Sequence, residues 1–318
     1  MSTQSENASA TSSLKERWEP RIERFRRGWT RYTQHKMGVL GLLILLMYIL
    51  WALFPSVFAP HNLEWRAFVG NDQYAYMTLQ QKQQLPHPPA FGDPFFAPLG
   101  TNHLGYGIFT QLVYSAKDAL YIGFAAGILS SLVGVPLGLI SGFYGDTWID
   151  ETIQRIVDIM YGMPFLPFLI VLVAIRGINQ TNIILGIAIT SWLNNCILIR
   201  GETLSLKERA YVESARVAGA SDTRIVFRHI LPNVLPLAFV FLAQDAASAI
   251  LVQASLAYLG LAEFTNISWG IMIETIKAKN YVFDAWWWLL PPGLAITSIA
   301  AAFYFIGFSV EDVANPQE

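Results

Sequence analysis

Six long apolar runs constrain the fold of this 318-residue chain more than any other feature. A helix needs roughly 20 consecutive apolar residues to cross a bilayer core about 30 Å thick. Within the six runs one residue is charged, Asp245, near the middle of the fifth run. The pattern predicts an all-α integral membrane protein of about six transmembrane helices, over residues 37–59, 119–145, 159–175, 177–199, 232–260 and 285–310.

The composition also favours lipid over water as the solvent of this chain. Charged residues make up 14% of the sequence, against about 25% in a typical soluble domain. The formal net charge is −2, so no overall positive field attracts nucleic acid. We therefore expect membrane lipid as a partner, and no nucleic acid.

The basic residues are distributed unevenly between the two sides of the predicted bundle. One side holds eight Lys and Arg before residue 37, six from 200 to 228, and Arg155, which is 15 of the 21; the other side holds six. Because cytoplasmic loops carry the excess of Lys and Arg, both termini are predicted to be cytoplasmic. The tails are then residues 1–36 and 311–318.

Two segments outside the runs have patterns of their own. The N-terminal tail repeats apolar residues at helical spacing among basic ones, which predicts an amphipathic basic segment over residues 14–32. That segment lies on the anionic inner leaflet or is an ordinary positively charged flank, and the two interpretations are compatible. Residues 60–117 form a long extracytoplasmic loop, and five prolines exclude a regular helix over residues 86–98. This loop either docks an outside protein or packs on the bundle.

Small and helix-breaking residues inside the runs predict how the helices pack. The second run has a one-sided stripe of small residues, which lets helices approach closely in lipid and predicts a central position: Gly123, Gly127, Ser131, Gly134, Gly138 and Gly142. Prolines predict kinks or breaks in the third run and in the sixth, at Pro164, Pro167, Pro291 and Pro292.

Three residues inside the runs are candidates for a solute pathway. Broken helices often line such pathways in transporters, which makes Pro164 one of them. Asp245 is either a pathway residue or a hydrogen-bonded strut between helices, because a buried acid is costly in lipid. Gln253 is the third candidate.

The segment between the fourth and fifth runs is polar, charged and about 30 residues long, yet its pattern is that of folded helices. Residues 206–218 form one predicted helix. Gly219 follows where a helix end favours positive φ, and Ser221 is placed to cap a second helix over 222–230. Pro232 then begins the fifth span. The sequence predicts a helix, a sharp turn and a second helix on the cytoplasmic face.

This segment resembles the EAA loop of binding-protein-dependent ABC importer permeases. That loop reads E-A-A, three residues, G, nine residues, I-L-P; here Glu213-Ser214-Ala215 is followed by Gly219 and by 230–232 (ILP) at the same spacing. In that family the loop docks on the ATPase subunit. The resemblance implies a coupling site at Glu213, Ser214, Ala215, Gly219, Ala220, Ser221, Arg224, His229 and Pro232.

Four other segments are similar to one branch of that family, the dipeptide, oligopeptide and nickel permeases. They are residues 98–105 (PLGTNHLG), 137–145 (LGLISGFYG), 254–261 (ASLAYLGL) and 268–272 (SWGIM). Gln253 stands where the family commonly has an acid. The N-terminal layout resembles the C-type subunit of the permease pair. The resemblance implies a five-helix permease core over residues 118–310, with the coupling loop at 206–231 and a separate first span.

The same resemblance implies partners and a location in the inner (cytoplasmic) membrane. The partners are a second permease subunit, two ATP-binding subunits and an extracytoplasmic solute-binding protein. No G-x-x-x-x-G-K-[ST] occurs in the sequence, so the chain has no P-loop. We expect it to be a transport subunit with no bound cofactor or metal, while ATP and Mg²⁺ bind the partner subunits.

Several alternatives remain at this point. Di- or oligopeptides are the expected cargo, with nickel, an oligosaccharide or glutathione as alternatives. A secondary transporter would need more ionisable residues along the spans than Asp245 and Asp158, which directly precedes the third run. An intramembrane enzyme is disfavoured because neither H-E-x-x-H nor G-x-S-x-G occurs.

Overall fold

The described part of the chain is almost entirely helical in the computed structural model, which covers residues 28–59, 63, 86–89, 98–263 and 267–314. Most of the predicted amphipathic segment, most of residues 60–97 in the predicted 60–117 loop, and the last four residues lie outside this part. The helices are α1 (Lys36–Leu53), α2 (Pro55–Phe58), α3 (Ile108–Phe143), α4 (Trp148–Tyr161), α5 (Phe165–Arg176), α6 (Gln180–Lys207), α7 (Ala210–Val217), α8 (Asp222–Ile225), α9 (Leu231–Tyr258), α10 (Trp269–Ala278) and α11 (Trp286–Ala314).

Five helical segments of the described residues are long and apolar enough to cross a membrane. They are α1, α3, α6, the continuous segment from α8 through α9, and α11. The pair α4 and α5 provides a sixth crossing if it counts as one bent span. The predicted fold, an all-α membrane protein of about six spans, is therefore confirmed.

Helix α3 lies at the centre of the bundle because its glycines allow close approach to two other helices, at different levels along α3. A Cβ added at Gly123 or Gly127 would lie 3.2 or 2.9 Å from a backbone carbonyl oxygen of α9. One added at Gly134, Gly138 or Gly142 would lie 2.6–2.7 Å from a carbonyl oxygen of α6. The predicted role of the small-residue stripe is confirmed, since α3 packs between α6 and α9.

The prolines of the third and sixth spans behave differently. The third span is broken, with α4 and α5 meeting at 85° and Pro164 as the N-cap residue of α5. The predicted break at Pro164 is confirmed. Helix α11 continues through Pro291 and Pro292, so of the two predicted outcomes, a kink or a break, the break does not occur there. Those prolines remove two backbone donors near the start of a 29-residue helix, and the remaining hydrogen bonds keep it continuous.

The second span begins at Ile108, ten residues before the predicted core boundary at 118. The sequence places Lys117 and Asp118 outside the membrane run, yet both lie within α3. Asp118 is accommodated because Gln180 Nε2, at the start of α6, donates to its Oδ1 at 2.6 Å. The predicted 60–117 loop therefore ends before α3, at a turn that the Asn102 side chain closes by accepting two backbone N–H groups.

Candidate functional site

The 206–231 loop contains the predicted helix pair with different boundaries. Helix α6 continues to Lys207 and α7 begins at Ala210, so one predicted helix over 206–218 is wrong. On the other side, α8 runs into a π-helical turn and then α9 without interruption. Pro232 lies in the first turn of α9 and does not separate the two. A widened π turn directly before a proline leaves room for its ring.

The turn between α7 and α8 is a Schellman motif centred on Gly219. Gly219 has φ +80°, and its N–H donates to Arg216 O at 2.9 Å. The N–H of Ala220 donates to Ala215 O at 3.0 Å. These two bonds satisfy carbonyls that a helix end otherwise leaves free. The predicted positive φ at Gly219 is confirmed. Ser221 occupies the N-cap position of α8, but its side chain makes no capping hydrogen bond.

The inner side of the 206–231 loop is fixed to the ends of three membrane helices. Val212, Ile225 and Ile230 are fully buried. They belong to one apolar cluster with residues of α3, α6 and α9: Val135, Leu139, Phe143, Ile199, Leu206, Val234, Ala238 and Phe241. Burying three such side chains stabilises this arrangement by several kcal/mol. A displacement of α7 must therefore move the ends of these helices.

The outer side of the loop exposes a mixed polar and apolar surface. Val217 at the end of α7 is 82% exposed. The Arg216 guanidinium lies 3.1 Å from the Glu213 carboxylate, and Ser214 Oγ donates to Ala210 O. The other predicted coupling residues are also accessible: Ser221, Arg224 and Pro232 are exposed, and Ala215, Ala220 and His229 are half-buried. Sequence reasoning missed Val217, because only the fold shows that no described part of the chain covers it.

The three predicted pathway residues are not brought together. Asp245 is 9% exposed, and Asn195 Nδ2 of α6 donates to its Oδ2 at 2.7 Å. Gln253 is 7% exposed, and its Nε2 donates to Ser268 Oγ at 3.2 Å. Pro164 is exposed at the break between α4 and α5. This geometry favours the strut interpretation of Asp245 over the pathway interpretation.

A cavity of about 390 Å³ lies beside the break in the third span. Its wall combines methionine, aromatic and aliphatic side chains with four hydroxyl groups, one of them on Tyr161. The lining residues are Met160, Tyr161, Met163, Phe165, Phe168, Ile187, Thr190, Ser191, Leu193, Ser248 and Val252. An apolar wall with a few hydroxyls is typical of sites for small organic ligands.

The described residues contain no group of three or more His, Cys, Asp or Glu placed to hold a metal ion. His103 stacks on Trp288 with ring centroids 5.4 Å apart. Burial, with a smaller contribution from nearby Lys279, lowers the pKa of His103. The imidazole therefore packs against the start of α11.

Two family models match this chain. The model described as the inner membrane component of binding-protein-dependent transport systems matches residues 134–317. The model for the N-terminal transmembrane domain of oligopeptide transport permease C matches residues 23–86. The match at the N-terminus agrees with the resemblance to a C-type subunit.

Individual relatives align along almost the whole chain. The dipeptide transport system permease protein DppC of Alkalihalophilus pseudofirmus is 32% identical, over 93% of this chain and 91% of its own. The oligopeptide transport system permease protein OppC of Bacillus subtilis is 31% identical, over 90% and 88%. The glutathione transport system permease protein GsiD of Pectobacterium atrosepticum is 30% identical, over 92% and 91%.

Among solved structures, a chain of the MetNI methionine ABC transporter in an inward-facing conformation is similar, with a TM-score of 0.51. The alignment covers 64% of this chain and 94% of that chain at 17% identity, so it bears on the fold alone. The family models and the aligned relatives carry the assignment. The chain belongs to the family of binding-protein-dependent transport system inner membrane components, the permease subunits of ABC importers.

Proposed function

We propose that this permease imports di- or oligopeptides as one of two membrane subunits. Two ATP-binding subunits dock on the 206–231 loop of this chain and on its counterpart in the second permease. A solute-binding protein delivers cargo at the opposite, extracytoplasmic end. The observation that carries the proposal is the placement of α7. The buried Val212 anchors this helix to the bundle, whereas Val217 and the Glu213–Arg216 pair are exposed on its surface. The names of the relatives, for dipeptides, oligopeptides and glutathione, support a peptide cargo.

The anchoring of α7 explains how ATP acts at a distance from the solute. ATP and Mg²⁺ bind the partner subunits, whose closure moves α7. Because α8 through α9 is one helical segment of 37 residues, about 55 Å long, movement at the loop is transmitted across the whole membrane. The bundle then shifts between two states according to the nucleotide at the partner site.

The distribution of basic residues supports an orientation with both termini and the 206–231 loop in the cytoplasm. In that orientation the ATP-binding subunits lie in the cytoplasm, where ATP is available. The cavity at the break of the third span forms one wall of the solute route, and the second permease closes the other side. Its hydroxyls suit peptide amides, and its methionines suit variable side chains.

Capture of the ATPase by the membrane-inserted chain tests the dock. We expect the unaltered chain to co-purify with its ATP-binding partner and Val217→Asp to reduce the captured amount at least about tenfold, since a charge would be buried in the contact. Phe283→Asp is the control, because Phe283 is 96% exposed and lies outside the loop. Absence of any captured ATPase, together with transport that needs no ATP, would favour a secondary transporter.

The cargo requires a separate measurement in proteoliposomes that contain both permeases, both ATP-binding subunits and the solute-binding protein. Dipeptides, longer peptides, glutathione, Ni²⁺ and an oligosaccharide are offered at equal concentration. We expect ATP-dependent uptake of peptides. Uptake of Ni²⁺ or of the oligosaccharide alone would refute the peptide assignment and leave the importer assignment intact.

A further inference from the structure

One carboxylate, Asp150, joins three helices near the end of the bundle that bears the 206–231 loop. Arg200 of α6 donates to it twice, from Nε to Oδ1 at 2.7 Å and from a terminal nitrogen to Oδ2 at 2.6 Å. Ser141 of α3 donates to the same carboxylate, and Gln154 of α4 donates to Ser141 Oγ at 2.9 Å. The Asp150 side chain is 5% exposed and that of Arg200 is 28% exposed.

This pair holds its geometry more firmly than a surface ion pair. A bidentate guanidinium–carboxylate contact fixes orientation as well as distance. The backbone N–H of Asp146 also donates to Asp150, so four donors surround the carboxylate. Asp150 lies in the first turn of α4, where the helix dipole favours a negative charge.

The pair connects two parts of the molecule that pack together in different ways. On one side, α3 and α6 are in close backbone contact through Gly138 and Gly142, and α7 follows α6 after two residues. On the other side is α4, whose apolar contact with α6 is a cluster around the buried Val157. Apolar contacts are non-directional, whereas the Arg200–Asp150 contact fixes α4 in register with α6.

Helix α4 leads from this pair to the break in the third span. Its last two residues, Met160 and Tyr161, line the cavity beside the 85° break. We propose that Asp150 and Arg200 are positioning residues that link movement of α7 to the wall of the solute cavity. The pair touches neither nucleotide nor solute; it makes α4 follow α6. This inference rests on the proposed ATPase dock at α7.

The test uses the complete importer in proteoliposomes and measures ATP hydrolysis and peptide uptake per assembled complex. The variants are Asp150→Asn, Arg200→Gln, the double variant, and Arg200→Lys, which keeps the charge and loses the bidentate geometry. Asp312→Asn is the matched control, because Asp312 is 63% exposed and lies 3.6 Å from His35. We expect each single substitution of the pair to leave hydrolysis within about twofold and to lower peptide taken up per ATP about five- to thirtyfold.

The double variant distinguishes a linked pair from two independent residues. We expect its uptake per ATP to be no lower than that of either single variant, because the second substitution removes an interaction already lost. An unchanged ratio in Asp150→Asn, or a double variant whose loss is the product of the single losses, would overturn the proposal. If the Asp150→Asn complex does not assemble, Arg200→Lys serves as the test instead. An unchanged ratio of peptide uptake to ATP hydrolysis in Arg200→Lys also refutes the proposal.

Failure of the proposed function would give a different result. In that case the unaltered complex captures no ATPase or takes up no peptide, whereas failure of this inference leaves the unaltered complex active and the variants fully coupled.

Discussion

Replacing Gly219 with alanine tests whether the turn of the 206–231 loop depends on its left-handed backbone. Gly219 has φ +80°, and a Cβ added there would meet no heavy atom within 4 Å. Steric conflict with neighbouring residues therefore adds nothing to the effect of Gly219→Ala. The whole cost comes from placing an L-residue in the left-handed region, which is about 1–2 kcal/mol.

That cost appears as easier local opening of the turn. A change of 1–2 kcal/mol alters an equilibrium about five- to thirtyfold. The reporters are the amides of residues 219 and 220, which donate to Arg216 O and Ala215 O in the Schellman motif. We expect their hydrogen exchange, corrected for intrinsic rates, to accelerate by that factor in Gly219→Ala. Gly219→Asn should accelerate it less, because asparagine tolerates this region.

Gly201→Ala is the matched control for this experiment. Gly201 is exposed like Gly219 and also has open space at its Cβ position, but it lies inside α6. Alanine there should stabilise the helix by up to about 1 kcal/mol. Exchange in the turn that stays at the unaltered rate in Gly219→Ala, or that changes equally in both variants, would refute the reasoning.

Three further predictions concern packing and capping. A Cβ at Gly138 would lie 2.6 Å from a carbonyl oxygen of α6, so Gly138→Ala should cost about 1–3 kcal/mol of stability and lower the Tm. Gly293→Ala is the control and should not lower the Tm, because the Cβ position there has open space. Equal losses in the two variants would contradict the close packing. Asp245→Ala leaves Asn195 unpaired and should cost about 1–3 kcal/mol in thermal unfolding. Asp245→Asn should keep peptide uptake, and lost uptake at unchanged stability would instead indicate a pathway role. Asn179→Ala removes the cap acceptor of α6 and should lower the unfolding free energy by about 1 kcal/mol, with Asn179→Asp as the control; equal stability of the two variants would contradict the capping role.

The spans and the turn at Gly219 could be predicted because local sequence determines them. The length of an uncharged run sets a membrane crossing, and the stripe from Gly123 to Gly142 sets the packed face of α3. Helix ends are harder to locate from the sequence. A charged residue beside an apolar run is taken as the end of the helix unless the residue that pairs with it is known. Asp118 illustrates this, since its bond to Gln180 keeps it inside α3. The same difficulty applies to α6, which extends past Arg200 into the predicted loop.

The polar contacts inside the bundle could not be predicted because their partners are distant in sequence. Asp245 bonds to Asn195 and Asp150 bonds to Arg200, each across 50 residues. In the sequence Arg200 is one of several cationic residues beside the fourth span and is counted only towards the orientation. It becomes the partner of Asp150 because the glycines of α3 bring α6 within reach of the start of α4. The sequence predicts the close packing of α3, and that packing brings together an ion pair that the sequence does not predict. Weakening the packing at Gly142 should therefore weaken the Arg200–Asp150 contact as well.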